Sequence, residues 1–243
     1  MKDYLKDLID HTYGLGDIEL IKVTGTDTET KINAMTENKN VIISGTFKGP
    51  IADFIGVFGM PNLGKLKTII GFEEYDNTSI INVTRTNKNN EDIPSTIHFE
   101  TNTGDFVNDY RLMLKSVVLE KVKDVAFKGT TWNVEFQPMV TNILRLKKQQ
   151  QANTEEENFL AKTENGDLKI YFGDPSTHSG NFVFHPGVTG TLSKPWLWPV
   201  KQFISILDLV GDKTVRISDA GVTEIVVDSG LAVYTYLLPA NTK

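Results

Sequence analysis

The 243-residue chain contains no cysteine, and that one absence removes disulfides, thiolate nucleophiles and cysteine-based zinc sites together. Histidine is scarce as well. His11, His98, His178 and His185 stand singly, and the two in HSGNFVFH lie across a strand rather than at a metal-binding helical spacing. No glycine-rich phosphate loop followed by Lys and Ser/Thr is present, and TYGLGDIEL reads as a helix stop plus a turn rather than a dinucleotide fingerprint. There is no Gly-x-Ser-x-Gly elbow, and no carboxylate pair set in apolar surroundings that would raise a pKa for acid–base work. No window approaches the roughly 18 apolar residues that a membrane span requires. The opening MKDYLKDLID carries charge where a signal peptide would be apolar, so the NVT at 82–84 has no secretory context as a glycosylation acceptor. The expectation is a cytoplasmic protein without membrane attachment, catalytic residues, metal or cofactor. The chain also lacks an excess of positive charge. With 25 Lys and Arg against 31 Asp and Glu, its net charge of −6 argues against a nucleic-acid binder that is basic all over, but leaves open how the cations are distributed.

What is present is an ordinary globular composition, 40% hydrophobic and 23% charged, long enough for two domains at about 100–200 residues each. Apolar residues recur at spacings of three and four in four segments. The spacing predicts helices over roughly 3–13 (Tyr4, Leu5, Leu8, Ile9), 61–70 (opened by Pro61; Leu63, Leu66, Ile69, Ile70), 139–151 (Val140, Ile143, Leu144) and 199–210 (opened by Pro199; Val200, Phe203, Ile204, Leu207). Between them run short strands separated by turn residues, among them IELIKVTG, TKINAM, NVIISGTF, SIINVTRT, STIHFET, TWNVEFQ, DLKIYF, NFVFHPG, KTVRIS, TEIVVDSG and LAVYTYLL. Many strands with a few isolated helices predict an α+β architecture. Each pair of helices is spaced by about 58–60 residues, and the second pair follows the first by about 136–138, so the layout reads as two copies of one unit. LMLKSVVLEKVKDVAFKG, with no clean period, reads as a connector. KKQQQANTEEEN reads as a solvated loop.

Each predicted helix carries cations away from its apolar stripe: Lys2 and Lys6 on the first, Lys65 and Lys67 on the second, Arg145, Lys147 and Lys148 on the third, and Lys201 on the fourth, with Lys194 just upstream. Side by side on one face of the sheets, such helices give an acidic protein one positive surface. Asp3, Asp7, Asp10 and Asp208 dilute the pattern.

Four collinear stretches then carry a resemblance. KINAMTENKNVIISGTF, FGMPNLGKLKTIIGF, NDYRLMLKSVVLEKV and SDAGVTEIVVDSGLAVYTYLLPA resemble, in order, the opening strand–loop–strand, the strand entering a Leu-rich helix, the Asp-Tyr strand leading to the interdomain connector, and the closing hairpin of the DNA sliding clamps. Both the eukaryotic proliferating cell nuclear antigen and the two-domain clamps of T4-like phages are similar. STHSGNFVFHPGVTGTLSKPWLW departs from the eukaryotic pattern and leans toward a phage-type member, which would work in the infected host's cytoplasm.

The resemblance implies a DNA-clamp fold of two similar domains, 1–113 and 130–243, joined by a connector at 114–129. Each domain would pack two helices on antiparallel sheets, and three chains would close into a homotrimeric ring. It implies a processivity factor that encircles double-stranded DNA without sequence specificity and tethers the replicative DNA polymerase, with a clamp loader as a further partner. The channel lining would be Lys2, Lys6, Lys65, Lys67, Arg145, Lys147, Lys148 and Lys201. The apolar ending YTYLLPA would serve as one wall of a client-peptide pocket made by Met35, Val41, Val117, Val118, Leu119, Leu237, Leu238, Pro239 and Ala240, or else would only seal a core. The alternative is a ring or tube component of a phage particle, also strand-rich and without an active site. A small-molecule enzyme ranks last for want of a catalytic constellation.

Overall fold

The computed structural model describes residues 1–88, 91–123 and 127–241. Residues 124–126 of the expected connector, and 242–243 at the end of the second expected domain, lie outside that set. The chain divides into two compact units. The first comprises Met1–Lys39, Ile43–Val125 and Ser229–Tyr234; the second comprises Asn40–Ile42, Ala126–Asp228 and Thr235–Lys243.

In the first unit, α1 (Lys2–His11) is followed by β1 (Leu20–Gly25), β2 (Thr30–Met35), β3 (Ile42–Phe47), β4 (Gly56–Pro61) and α2 (Leu63–Ile70). Next come β5 (Ile80–Lys88), β6 (Glu91–Glu100), β7 (Val107–Arg111) and the short helix α3 (Lys115–Lys121). Strands β4, β1, β2 and β3 lie side by side in that order, and β5, β6 and β7 form a three-stranded antiparallel sheet. In α1, Leu5, Leu8 and Ile9 are buried; in α2, Leu63, Leu66, Ile69 and Ile70 are. These stripes arise from the three-and-four spacing and let the two helices pack against each other.

Pro61 does not open α2. It ends β4, opposite Leu20, and Asn62 in left-handed backbone (φ 54°) makes the corner before the helix. The expected connector contains a helix where no period was legible, because α3 is seven residues long and buries only Val118. Val118 sits on Gly59 of β4, where a Cβ would come 2.9 Å from its Cγ2.

The second unit holds β8 (Val134–Phe136), α4 (Val140–Ala152), β9 (Asn158–Glu164), β10 (Asp167–Gly173), β11 (Ser179–His185), β12 (Leu197–Pro199), α5 (Val200–Leu207), β13 (Asp212–Ser218) and β14 (Val222–Asp228). The last strand, β15 (Ala232–Pro239), begins in the first unit and ends in the second. Strands β15, β14, β13 and β8 are neighbours in that order, and β11, β10, β9 and β12 form a four-stranded sheet. The core is aromatic: Phe159 meets Phe203 of α5 at 5.0 Å between ring centroids, and Phe184 lies 6.1 Å from the same ring.

Two helix stripes differ from expectation. In α4 the buried residues are Asn142, Ile143 and Leu146, whereas Val140 and Leu144 project outward. In α5, Ile206 rather than Ile204 joins Val200, Phe203 and Leu207 in the core. Strands β4, β7, β9 and β12 were not legible from alternation alone, since β9 and β12 are interrupted by polar residues or very short.

The start of β15 is tied to α1 by a buried polar cluster within the first unit. The Tyr234 hydroxyl donates to Asp7 Oδ2 at 2.6 Å, and the Tyr234 ring stacks on that of His11 with centroids 4.6 Å apart. Asp7 Oδ1 lies 3.4 Å from His11 Nδ1. Removing a donor from a buried carboxylate leaves it undersolvated, at a cost of about 1–3 kcal/mol. Tyr234→Phe is therefore expected to lower the unfolding free energy read from urea titration by that order, while Thr235→Val, a half-exposed neighbour, leaves it nearly unchanged.

Candidate nucleic-acid interface and docking surfaces

The eight cations expected to face nucleic acid are all at least partly exposed, four in each unit. In the first unit, Lys2 Nζ donates to the Tyr75 carbonyl oxygen, and Lys6 is paired with Asp10 one turn along α1. Lys65 is exposed, and its side chain has no partner among the described residues. Lys67 Nζ lies 5.6 Å from the ring centroid of Tyr13, which itself packs against Gly64; a Cβ at Gly64 would stand 2.9 Å from the Tyr13 hydroxyl. Such a cation–π contact holds an ammonium in place without neutralising it. Tyr13 was not singled out in the sequence, because TYGLGD reads as a turn and nothing in it points to Lys67.

In the second unit, Arg145 Nη1 is 3.5 Å from Asn142 Oδ1, and Lys147 is paired with Asp208 at 2.6 Å. Lys148 and Lys201 are exposed, without side-chain partners among the described residues. The dilution by carboxylates is thus specific. Asp7 turns inward, Asp10 and Asp208 each take one lysine, and Asp3 stays exposed. The charge left over for an anionic partner is carried chiefly by Lys65, Lys67, Arg145, Lys148 and Lys201.

The residues expected to wall a client pocket divide by burial. Val41, Val118 and Leu238 are buried, with relative exposures of 2%, 0% and 0%, and offer almost no side-chain surface. Val117 and Leu119 of α3 are 38% and 42% exposed. Met35, Leu237 and Ala240 are half-buried, and Pro239 is exposed.

Two sheet edges carry further features that the sequence pattern did not mark. β7 is an edge strand, with Val107 exposed on it. β11 is the edge of the four-stranded sheet and packs beside α4, whose Met139, Val140 and Leu144 are exposed. Next to β7, His98 of β6 bridges two carboxylates: Nδ1 is 2.9 Å from Asp109 Oδ1 and Nε2 is 3.0 Å from Glu100 Oε2. These two hydrogen bonds, the Glu100 one first, hold the imidazole pKa above its ordinary value despite partial burial.

Among the described residues, no group of three or more His, Cys, Asp or Glu is placed to hold a metal ion, and no helix is long and apolar enough to cross a membrane.

No family model matches the chain, and no curated protein matches it in sequence. Its backbone is similar to a solved structure, that of A. fulgidus PCNA with the C-terminal region of FEN-1 bound. The TM-score is 0.70 and the match covers 100% of this chain and 97% of that one, at 11% sequence identity. The chain therefore has the α+β fold of the PCNA-like clamps.

The His98 cluster generates a pH test. A pKa raised on folding contributes stability that is fully present below the unfolded value, near about 6.5, and is lost as pH rises through the folded value. Facing His98 are Asn82 on β5, Asp109 and the neighbouring Arg111 on β7, and Glu100 on its own strand. Melting temperature is expected to fall as pH rises above about 6.5 more steeply in the wild type than in His98→Gln. Parallel curves for the two proteins would remove His98 as the cause.

Proposed function

We propose that the protein is a DNA sliding clamp: a homotrimeric ring that encircles duplex DNA and tethers the replicative polymerase for processive synthesis. The observation that carries this reading is the repeated pair of cation-bearing helices, one pair in each unit of a chain with the clamp fold. The channel lining is Lys2, Lys6, Lys65, Lys67, Arg145, Lys147, Lys148 and Lys201. Lysine and arginine meeting phosphates hold a duplex without reading its bases, and contacts that do not read sequence permit sliding. The role is that of a non-catalytic tether in the cytoplasm, of an infected host if the chain is phage-encoded.

Ring closure is supported by the two unlike edges. β7 with Val107 on one copy pairs with β11 on the next. Client peptides from the polymerase and the clamp loader dock on residues that reach the surface: Val117 and Leu119 in the first unit, and Leu237, Pro239 and Ala240 in the second. Met35 is a further contact. Val41, Val118 and Leu238 are buried and leave the docking to the exposed residues.

Light scattering coupled to size exclusion tests the assembly. Three 27.1 kDa chains give about 81 kDa, or a monomer that climbs toward that mass with concentration. A clean dimer or a large tube would overturn the ring. The channel is tested by Arg145→Glu with Lys148→Glu. The double variant is expected to keep its mass while losing about tenfold or more in clamp-dependent processive synthesis at moderate salt. Processivity at the wild-type level would remove α4 from the DNA path.

A further inference from the structure

The outer edge of β4 is closed at one end and open at the other. Gly59 N–H donates to the Met113 carbonyl at 2.9 Å, and Met113 N–H donates back at 2.8 Å. In an antiparallel ladder, hydrogen-bonded and non-bonded pairs alternate. Gly59, which looks outward, is therefore the non-bonded partner of Lys22, and two residues on, Val57 is the non-bonded partner of Thr24. The N–H and C=O of Val57 thus point away from β1, on the same side as those of Gly59. Their continuation partner would be Lys115, but there the chain turns into α3 and the pairing stops. Two residues back, the Ile55 carbonyl already accepts from Arg85 Nη1 at 3.0 Å. Val57 is left as one open rung, with no protein partner on that side among the described residues.

A groove of about 560 Å³ lies over this rung, walled by Val57, Ile93, Pro94 and Leu114, with Glu91 and Lys115 on its rim. Leu114 is 39% exposed. Asp92 is engaged by Arg85, whereas Glu91 and Lys115 are exposed and have no ion-pair partner among the described residues.

We propose that this groove binds a short extended peptide of a partner protein by strand addition. The peptide backbone completes the rung at Val57, one apolar side chain rests on Leu114, Ile93 and Pro94, and flanking residues of opposite charge meet Glu91 and Lys115. An unpaired backbone donor and acceptor call for another backbone. A rim with one exposed carboxylate and one exposed ammonium fits a peptide bearing both charges and fixes its direction, and it does not fit a uniformly anionic nucleic acid. The groove uses none of the residues assigned above to DNA or to the client peptide, and it does not depend on ring formation.

The test is a displayed library of short random peptides selected on the full-length protein, with enriched peptides synthesised and titrated by fluorescence anisotropy. The expected peptides carry an apolar residue between one basic and one acidic residue. Their affinity is expected to fall by about tenfold or more in Leu114→Glu. Glu91→Lys should also weaken them, and a peptide with its basic residue changed to acidic should restore binding to that variant. Amide exchange at Val57 should slow when the peptide binds. Enriched peptides that bind Leu114→Glu and Glu91→Lys undiminished, or that leave Val57 exchange unchanged, would overturn the proposal. So would a library yielding no binder sensitive to either substitution. A change in the protein's own mass in Leu114→Glu without peptide would assign the groove to a second copy instead.

Discussion

The orientation of α1 depends on a buried carboxylate. Asp7 is only 9% exposed at its side chain, and a charge so placed is tolerable only where donors meet it. The Tyr234 hydroxyl donates to it, and the His11 ring, stacked on Tyr234 and hydrogen-bonded through Nδ1 to the Asp7 carbonyl oxygen, lies beside it, so α1 turns Asp7 and His11 inward together with Leu5, Leu8 and Ile9. Once that side is committed, Lys6 and Asp10 are left outside, where they pair with each other. The first unit then offers an anion mainly what α2 carries, Lys65 and Lys67, with Tyr13 holding the second in position. In the second unit a neutral residue takes the buried polar place: Asn142 of α4, near Arg145. Asp208 of that unit pairs with Lys147.

The parts legible in the sequence are those decided by local spacing. Leu63, Leu66, Ile69 and Ile70 recur as one stripe because each helical turn must place an apolar group on the same side, and they are buried as expected. The strands with clean alternation, such as Thr30–Met35 and Asp167–Gly173, stand where the alternation puts them. Pro61 misled because a proline before a leucine-rich run usually opens a helix. Here it ends a strand, a place where a missing N–H is tolerated, and its carbonyl accepts the Tyr110 hydroxyl from a residue far along the chain.

The candidate site was legible as residue types and less so as exposure. Val140 and Leu144 sit at helical spacing and were read as core, yet they lie outside while Asn142 is buried. Periodicity reports that apolar residues share a side of a helix, and not whether that side meets the same chain or another. Val41, Val118 and Leu238 show the converse, apolar residues read as surface that are buried. Only the packing of Val118 onto Gly59 reveals this, since glycine at 59 is what permits α3 to approach β4 so closely.

The treatment of strand edges links these observations. An exposed edge invites unwanted pairing, and charges or coverage are the usual guards. β7 carries Asp109 held by His98, β11 lies beside α4, and β4 is closed at Gly59 but opened at Val57 by the turn into α3. β7 and β11 differ in sequence, in sheet and in what flanks them, so a contact between the two is heterologous. A contact between unlike edges leaves each copy with one edge still free at either end of the assembly. In the proposed ring each copy offers β7 to one neighbour and β11 to the other, and a heterologous contact of that kind covers both edges on every copy when its rotation closes.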